Sequence, residues 1–135
     1  MSVYLQLWKG MYDQLNAATA LTSLLAGTTS IYNMQAPDNA SLPYVVFQNY
    51  GGGMDNQTPR DARTQPMLVK AYADTAYKAG QIDAQVHVAM MQGLTVSGYT
   101  NFWVSRDQDI VLPEVTPSGE TVYMAGAVYR VRLSE

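Results

Sequence analysis

Between Tyr4 and Leu15 the apolar residues Tyr4, Leu5, Trp8, Met11, Tyr12 and Leu15 recur at steps of three and four. That spacing lines one face of a helix and predicts an amphipathic helix at the start of the chain. Helical composition continues from Ala17 to Leu25, with Leu21, Leu24 and Leu25 on one side, and Gly27 reads as its stop. The pattern fits either one kinked helix or a helix followed by a short one.

The period then changes. After the turn-rich stretch Ala36-Pro37-Asp38-Asn39-Ala40-Ser41, the run Tyr44-Val45-Val46-Phe47 is β-branched and aromatic, which favours a pleated, half-buried strand. Three glycines, Gly51 to Gly53, end it. From Gly51 to Gln65 there is almost no apolar periodicity, so this segment is expected to be an extended loop, or a long hairpin whose arms continue the flanking strands. Met67 to Ala73 reads as the next strand, and Asp74 or Thr75 offers an oxygen to cap the helix that follows.

In that helix Ala79, Ile82, Val86, Ala89 and Met90 keep helical spacing, and Gly93 is placed to close it. Gly80 in its middle costs helix propensity, for which close packing against the sheet is the expected reason. Thr100 to Ser105 reads as a strand and Arg106 to Gly119, with Pro113 and Pro117, as a connection. The closing strand, Val122 to Leu133, alternates cleanly: Tyr129, Val131 and Leu133 on one face, Val128, Arg130 and Arg132 on the other. The order helix, two strands, helix, two strands predicts an α+β fold, with a small antiparallel or mixed sheet of about four to five strands packed against two main helices. No repeat or linker divides residues 1–135, which are expected to form a single domain.

Composition adds a statement about surfaces. Hydrophobic residues make up 47% of the chain and charged residues only 14%, well below the usual quarter for a soluble domain. An exterior of uncharged polar groups and tyrosine desolvates more cheaply than one of Lys and Glu, so the balance fits a subunit covered by neighbours, and equally a monomer with a Thr- and Asn-rich exterior. With no cysteine, thiolate chemistry and disulfides are excluded. A net charge of −3 with scattered basic residues argues against a nucleic-acid-gripping face. The first residues resemble no secretory signal, and no stretch approaches the ~20 apolar residues of a membrane span, so a cytoplasmic product is expected.

Catalytic candidates are sparse. His87, the sole histidine, has Asp83 one turn earlier but no nucleophile beside it. Asp107, Asp109 and Glu114 form an acidic group without EF-hand spacing. The three glycines lack the following helix start and Gly-Lys-Ser/Thr of a phosphate loop, and Arg60 and Arg63 are offset by Asp55 and Asp61. No catalytic residue, cofactor or metal site is expected.

The segment Ala36-Pro37 to Leu42-Pro43-Tyr44-Val45-Val46-Phe47, a strand ending Tyr72-Ala73-Asp74, a helix with Ile82 and Val86 and a closing Tyr129-Arg130-Val131-Arg132-Leu133 together resemble the tail completion or tail terminator proteins, the tail-to-head joining proteins, of long-tailed bacteriophages. The likeness in element order covers nearly the whole chain. It departs from the family pattern at Asp74-Thr75 and in the long Gly51 to Gln65 segment. The resemblance implies a non-enzymatic virion protein, without cofactor, that assembles in the host cytoplasm into a homo-oligomeric, hexameric ring on the tail tube protein. Such a ring ends tail growth, meets the head connector or stopper protein, and lets genomic DNA pass without specific binding.

Under that implication the candidate interface loop comprises Gly51, Gly52, Gly53, Met54, Asp55, Arg60, Asp61 and Arg63, the sheet edges pair between subunits, and Asp107, Asp109 and Glu114 are candidates to face the channel. The alternatives are a neck stopper or head-completion subunit, and a small bacterial binding module, which would need a concave pocket with convergent polar groups.

Overall fold

The computed structural model describes residues 3–27, 30–37, 39–50, 53–54, 62–115, 119 and 121–134, with the backbone alone at 53, 54, 114 and 115. Two helices open the chain, α1 (Val3–Ala17) and the one-turn α2 (Thr19–Thr22), followed by β1 (Ile31–Asn33), β2 (Tyr44–Asn49) and β3 (Gly53–Met54). Then come β4 (Ala62–Ala73), α3 (Ala76–Met90), β5 (Thr100–Val115) and β6 (Thr121–Ser134). The fold is α+β: a mixed sheet ordered β1-β2-β4-β6-β5, with β3 also pairing β4. β1 runs parallel to β2 and the other pairings are antiparallel.

The helices cover one sheet face. Leu7, Met11 and Leu15 from α1 meet Ile82, Val86 and Met90 from α3 over Phe47, Met67, Val69, Ala127, Tyr129, Val131 and Leu133. The alternation expected of the closing strand holds, since Tyr129, Val131 and Leu133 lie in this core while Arg130 is exposed on the other side. β4 and β6 pair along the whole of β4, from Ala62 opposite Ser134 to Ala73 opposite Tyr123. Near their middle a side chain at Gly126 would run into the Val69 carbonyl, so glycine permits this close approach. On the opposite face a smaller cluster of Val46, Tyr72, Val122 and Met124 is covered by Ala36, Leu42 and the edge-to-face pair Tyr32 and Tyr44. The Leu42–Pro43 peptide at the entry to β2 is cis.

Helix ends follow local chemistry. Thr75 caps α3 by accepting from the Lys78 N–H at 3.1 Å, and Gly93, at φ +84°, turns the chain away after it. Several expectations are corrected. α2 is split from α1 by the extended Ala18 (ψ 93°) and ends at Thr22, well before Gly27, because beyond it the Leu24 and Leu25 N–H groups donate only three residues back, to the Leu21 and Thr22 carbonyls. Gly80 faces solvent: a Cβ there meets nothing within 4 Å, so sheet packing does not explain it. Arg106 to Val115 is not a connection but the continuation of β5, which pairs with β6 as far as Val115 opposite Thr121. Of the expected loop, Ala62 to Gln65 belongs to β4 and Gly53–Met54 pairs with Arg63 and Thr64, so its described parts form the hairpin alternative.

Candidate assembly surfaces

β5 forms one end of the sheet and β1 the other. None of the described side chains of β5 is buried, although the strand carries Phe102, Trp103, Ile110, Val111 and Leu112. Val111 is 73% exposed and Leu112 51%. Opposite residues of an antiparallel pair share a face. Val111, facing Ala125, therefore lies on the helix side, and Leu112, facing Met124, on the other. A strand apolar on both faces is the pattern of one covered on both sides.

The register of β5 on β6 shifts twice, between Asn101 and Trp103 and between Arg106 and Gln108, and runs regularly from Gln108 to Val115. These bulges place the polar ties of the edge. Asn101 Nδ2 donates to the Trp103 and Arg132 carbonyls at 3.1 and 3.0 Å, while its Oδ1 accepts from the Leu94 N–H at 2.9 Å. At the second bulge the Arg106 fork donates to both Asp83 oxygens of α3, at 2.8 and 3.3 Å, to Asp109 at 2.6 Å and to the Tyr129 hydroxyl at 3.0 Å. Its guanidinium also sits 5.7 Å from the Tyr129 ring centre.

Burial works to lower the Arg106 pKa, but the bonds to Asp83 and Asp109 outweigh it and hold it above the ordinary value. Burial pushes the Tyr129 hydroxyl up to about 12, partly opposed by Arg106. The arrangement fastens an edge strand to the helix layer. It also disposes of the base-and-orienter reading of His87, because Asp83 is engaged by Arg106, and the His87 ring instead faces Tyr129 at 6.3 Å.

Of the candidate loop residues, Gly51, Gly52, Asp55, Arg60 and Asp61 lie outside the described residues, and Gly53 and Met54 form the short β3. Arg63 is a correction: it is a buried residue of β4, 8% exposed, with its guanidinium 5.7 Å from the Tyr4 ring centre, and it does not project. The acidic candidates stand on β5 but are not bare. Asp109 pairs with Arg106, and Asp107 pairs with Arg130 at 3.3 Å. Glu114 has its backbone opposite Val122.

The surfaces that sequence reasoning missed are the second half of β5 and an open hollow of about 330 Å3 beside β1, lined by Ala26, Ser30, Tyr32, Pro37, Asn39 and Ala40 among others. The apolar run Ile110-Val111-Leu112 was the available signal for the first. Among the described residues no group of His, Cys, Asp or Glu could hold a metal ion, and no helix is long and apolar enough to cross a membrane.

The described residues thus form an α+β domain of three helices, two of them substantial, over a mixed sheet whose last-ordered strand, β5, is uncovered along one edge. The sequence matches the family described as Tail completion protein gp17 over residues 9–129, and the chain belongs to that family of tail-associated structural virion proteins. No curated protein matches it. Among solved structures it is similar to a chain of the virion of a native gene transfer agent particle, at a TM-score of 0.76 and 17% identity, covering 99% of this chain and 98% of that one. This likeness shows the fold, and agrees with the α+β class expected from the sequence.

Proposed function

We propose that the chain forms a ring at the head-proximal end of a phage tail tube, ends tail growth there and joins the tail to the head connector or stopper. The observation that carries this reading is β5, a sixteen-residue edge strand with unburied apolar residues on both faces, in a protein of the tail completion family. A closed ring needs two unlike surfaces on each subunit, and the two ends of this sheet are unlike. DNA passing such a ring requires a lumen that does not grip phosphate. Asp107 and Asp109, each paired with an arginine, would present little net charge there.

The segment around residues 55–61 is assigned to contact with the tube or the next subunit. Its test is replacement of 55–61 by a short Gly-Asn-Gly turn, since Met54 pairs with Arg63 and Ala62 onward belongs to β4. The expected result is a folded protein that no longer joins tails to heads; normal particles would remove this assignment. Loss of the whole gene product should give overlong or unjoined tubes. Tails of normal length that fail only to retain DNA would point instead to a stopper.

A further inference from the structure

We propose that the sheet face away from the helices carries a seat for a carboxylate side chain, Asp or Glu, of a protein partner, with Lys70 of β4 as its counter-charge. The proposal goes beyond the ring reading and does not rest on it, since it needs a protein partner but no particular symmetry.

Lys70 stands midway across the sheet, on the strand flanked by β2 and β6. It alternates with Val69 and Ala71, which lie in the helix-side core, so its side chain belongs to the other face. The residues directly opposite it are Val46 on β2 and Gly126 on β6, and Ile110 of β5 lies beyond Gly126. None of these side chains is an acceptor. Lys9, Arg106 and Arg130 each pair with a carboxylate. Lys70 is half-buried, and among the described residues no carboxylate pairs with it; its ammonium has the Tyr72 ring, whose centre is 5.7 Å away. A ring face leaves ammonium donors to spare.

Beside it lies a hollow of about 190 Å3 lined by the turn 34–36 and by Tyr44, Val46, Lys70 and Tyr72. Each of these residues and both its chain neighbours are described, and Lys70 is the one charged group among them. The walls are firm. Tyr44 sits edge-on to Tyr32 and 5.2 Å from Tyr72, centre to centre, so the rings brace one another. The turn is set by Met34, held at φ +70° with its N–H donating to the Phe47 carbonyl at 2.8 Å. A residue other than glycine adopts that conformation at a cost, and Met34 stands 54% exposed at the rim.

Size and charge narrow the occupant. The hollow is smaller than the ~300 Å3 at which small-molecule sites begin, and suits one side chain. A phosphate backbone is held by several clustered cations, whereas the Arg130 on this face is already paired with Asp107. A lone ammonium among tyrosine, methionine and valine matches a lone carboxylate with apolar flanks. On the same face the exposed Leu112, opposite Met124, adds an aliphatic contact two strands from β4, roughly 10 Å away.

The test uses the full chain, labelled with nitrogen-15 and titrated with acetyl-Leu-Glu-Leu-amide and with its neutral isostere acetyl-Leu-Gln-Leu-amide. The Glu peptide should shift the Met34, Lys70 and Tyr72 amides saturably, and the Gln peptide at least ~10-fold more weakly. Lys70→Met should erase that preference while the unfolding midpoint stays within a few degrees, and Lys70→Arg should keep it.

Equal response to both peptides, no saturable shift from either, or a preference that survives in Lys70→Met would overturn the proposal. So would a DNA duplex that shifts these amides more strongly than the Glu peptide, since it would make the face a nucleic-acid site. The two-peptide comparison on the unaltered chain decides the matter even where Lys70→Met fails to fold.

Discussion

β5 and β6 are neighbours of similar length joined in one hairpin, yet they have opposite surroundings. β6 lies between β4 and β5, and all but Thr121, Tyr123, Arg130 and Arg132 of its residues are buried. β5 has a strand on one side only and no buried side chain among those described. Both are rich in residues that favour strands, so propensity does not separate them. Position in the sheet does, and the apolar content of β5 reads as meant for a surface not supplied by its own subunit.

The comparison is broken most severely by damage beneath the buried strands. Phe47→Ala removes a fully buried ring from the core under β2 and should cost about 3–5 kcal/mol in denaturant unfolding. Gly126→Val should approach that loss, because the new side chain meets the β4 backbone. Equivalent truncation of Val111 should fall within ~0.5 kcal/mol.

Next in size is the tie between the two layers. Arg106→Met leaves Asp83 without its partner and should cost about 2 kcal/mol. Hydrogen exchange should show the loss chiefly as faster exchange in β5, with β4 amides still protected. Uniform loss across the sheet would mean that Arg106 supports the core instead of the edge.

A smaller effect concerns pH. The Tyr129 pKa is raised from 10.0 to about 12 in the folded state, so its contribution is fully present below pH 10 and is lost as pH rises through about 12. Stability should fall over that window, and Tyr129→Phe should make the fall shallower. The smallest effect has the opposite sign. Gly80→Ala, in the open mid-helix of α3, should stabilise by up to ~1 kcal/mol, seen as a modest rise in Tm.

Local signals accounted for much of the fold. The Thr75 cap, the Gly93 exit and the alternation of β6 each follow from a few neighbouring residues, and each is present. The α1 helix is present too, but its buried face is Val3, Leu7, Gly10, Met11 and Leu15, and the expected Tyr4 and Leu5 are exposed because the packing side of the helix lies between the residues picked by spacing alone. What escaped depended on distant partners. Arg106-Asp107-Gln108-Asp109 reads as a polar connection because its charges are satisfied by Asp83 and Arg130, 23 residues away in either direction. Arg63 and Gln65 read as loop residues because nothing nearby reveals that β6 lies alongside them. Gly80 misled for the reverse reason: a glycine in a helix suggests tight packing, and here the space is open. The uncovered strand left a local trace in the run Ile110-Val111-Leu112, but that run sits between charged residues and Pro113 and so reads as part of a connection; low charge by itself points to no particular face.

The two bulges of β5 have a bearing on how this chain can change length. At each of them one residue is taken up without a partner, so the strand beyond resumes with its alternation unaltered. Adding or losing a residue at position 102 or 107 would leave every later side chain in phase with β6. The same change between Gln108 and Val115 would invert the remainder, exchanging Val111 for its neighbour across the sheet. The bulges thus act as expansion joints, where the gene can gain or lose a codon while the apolar tip keeps its aim.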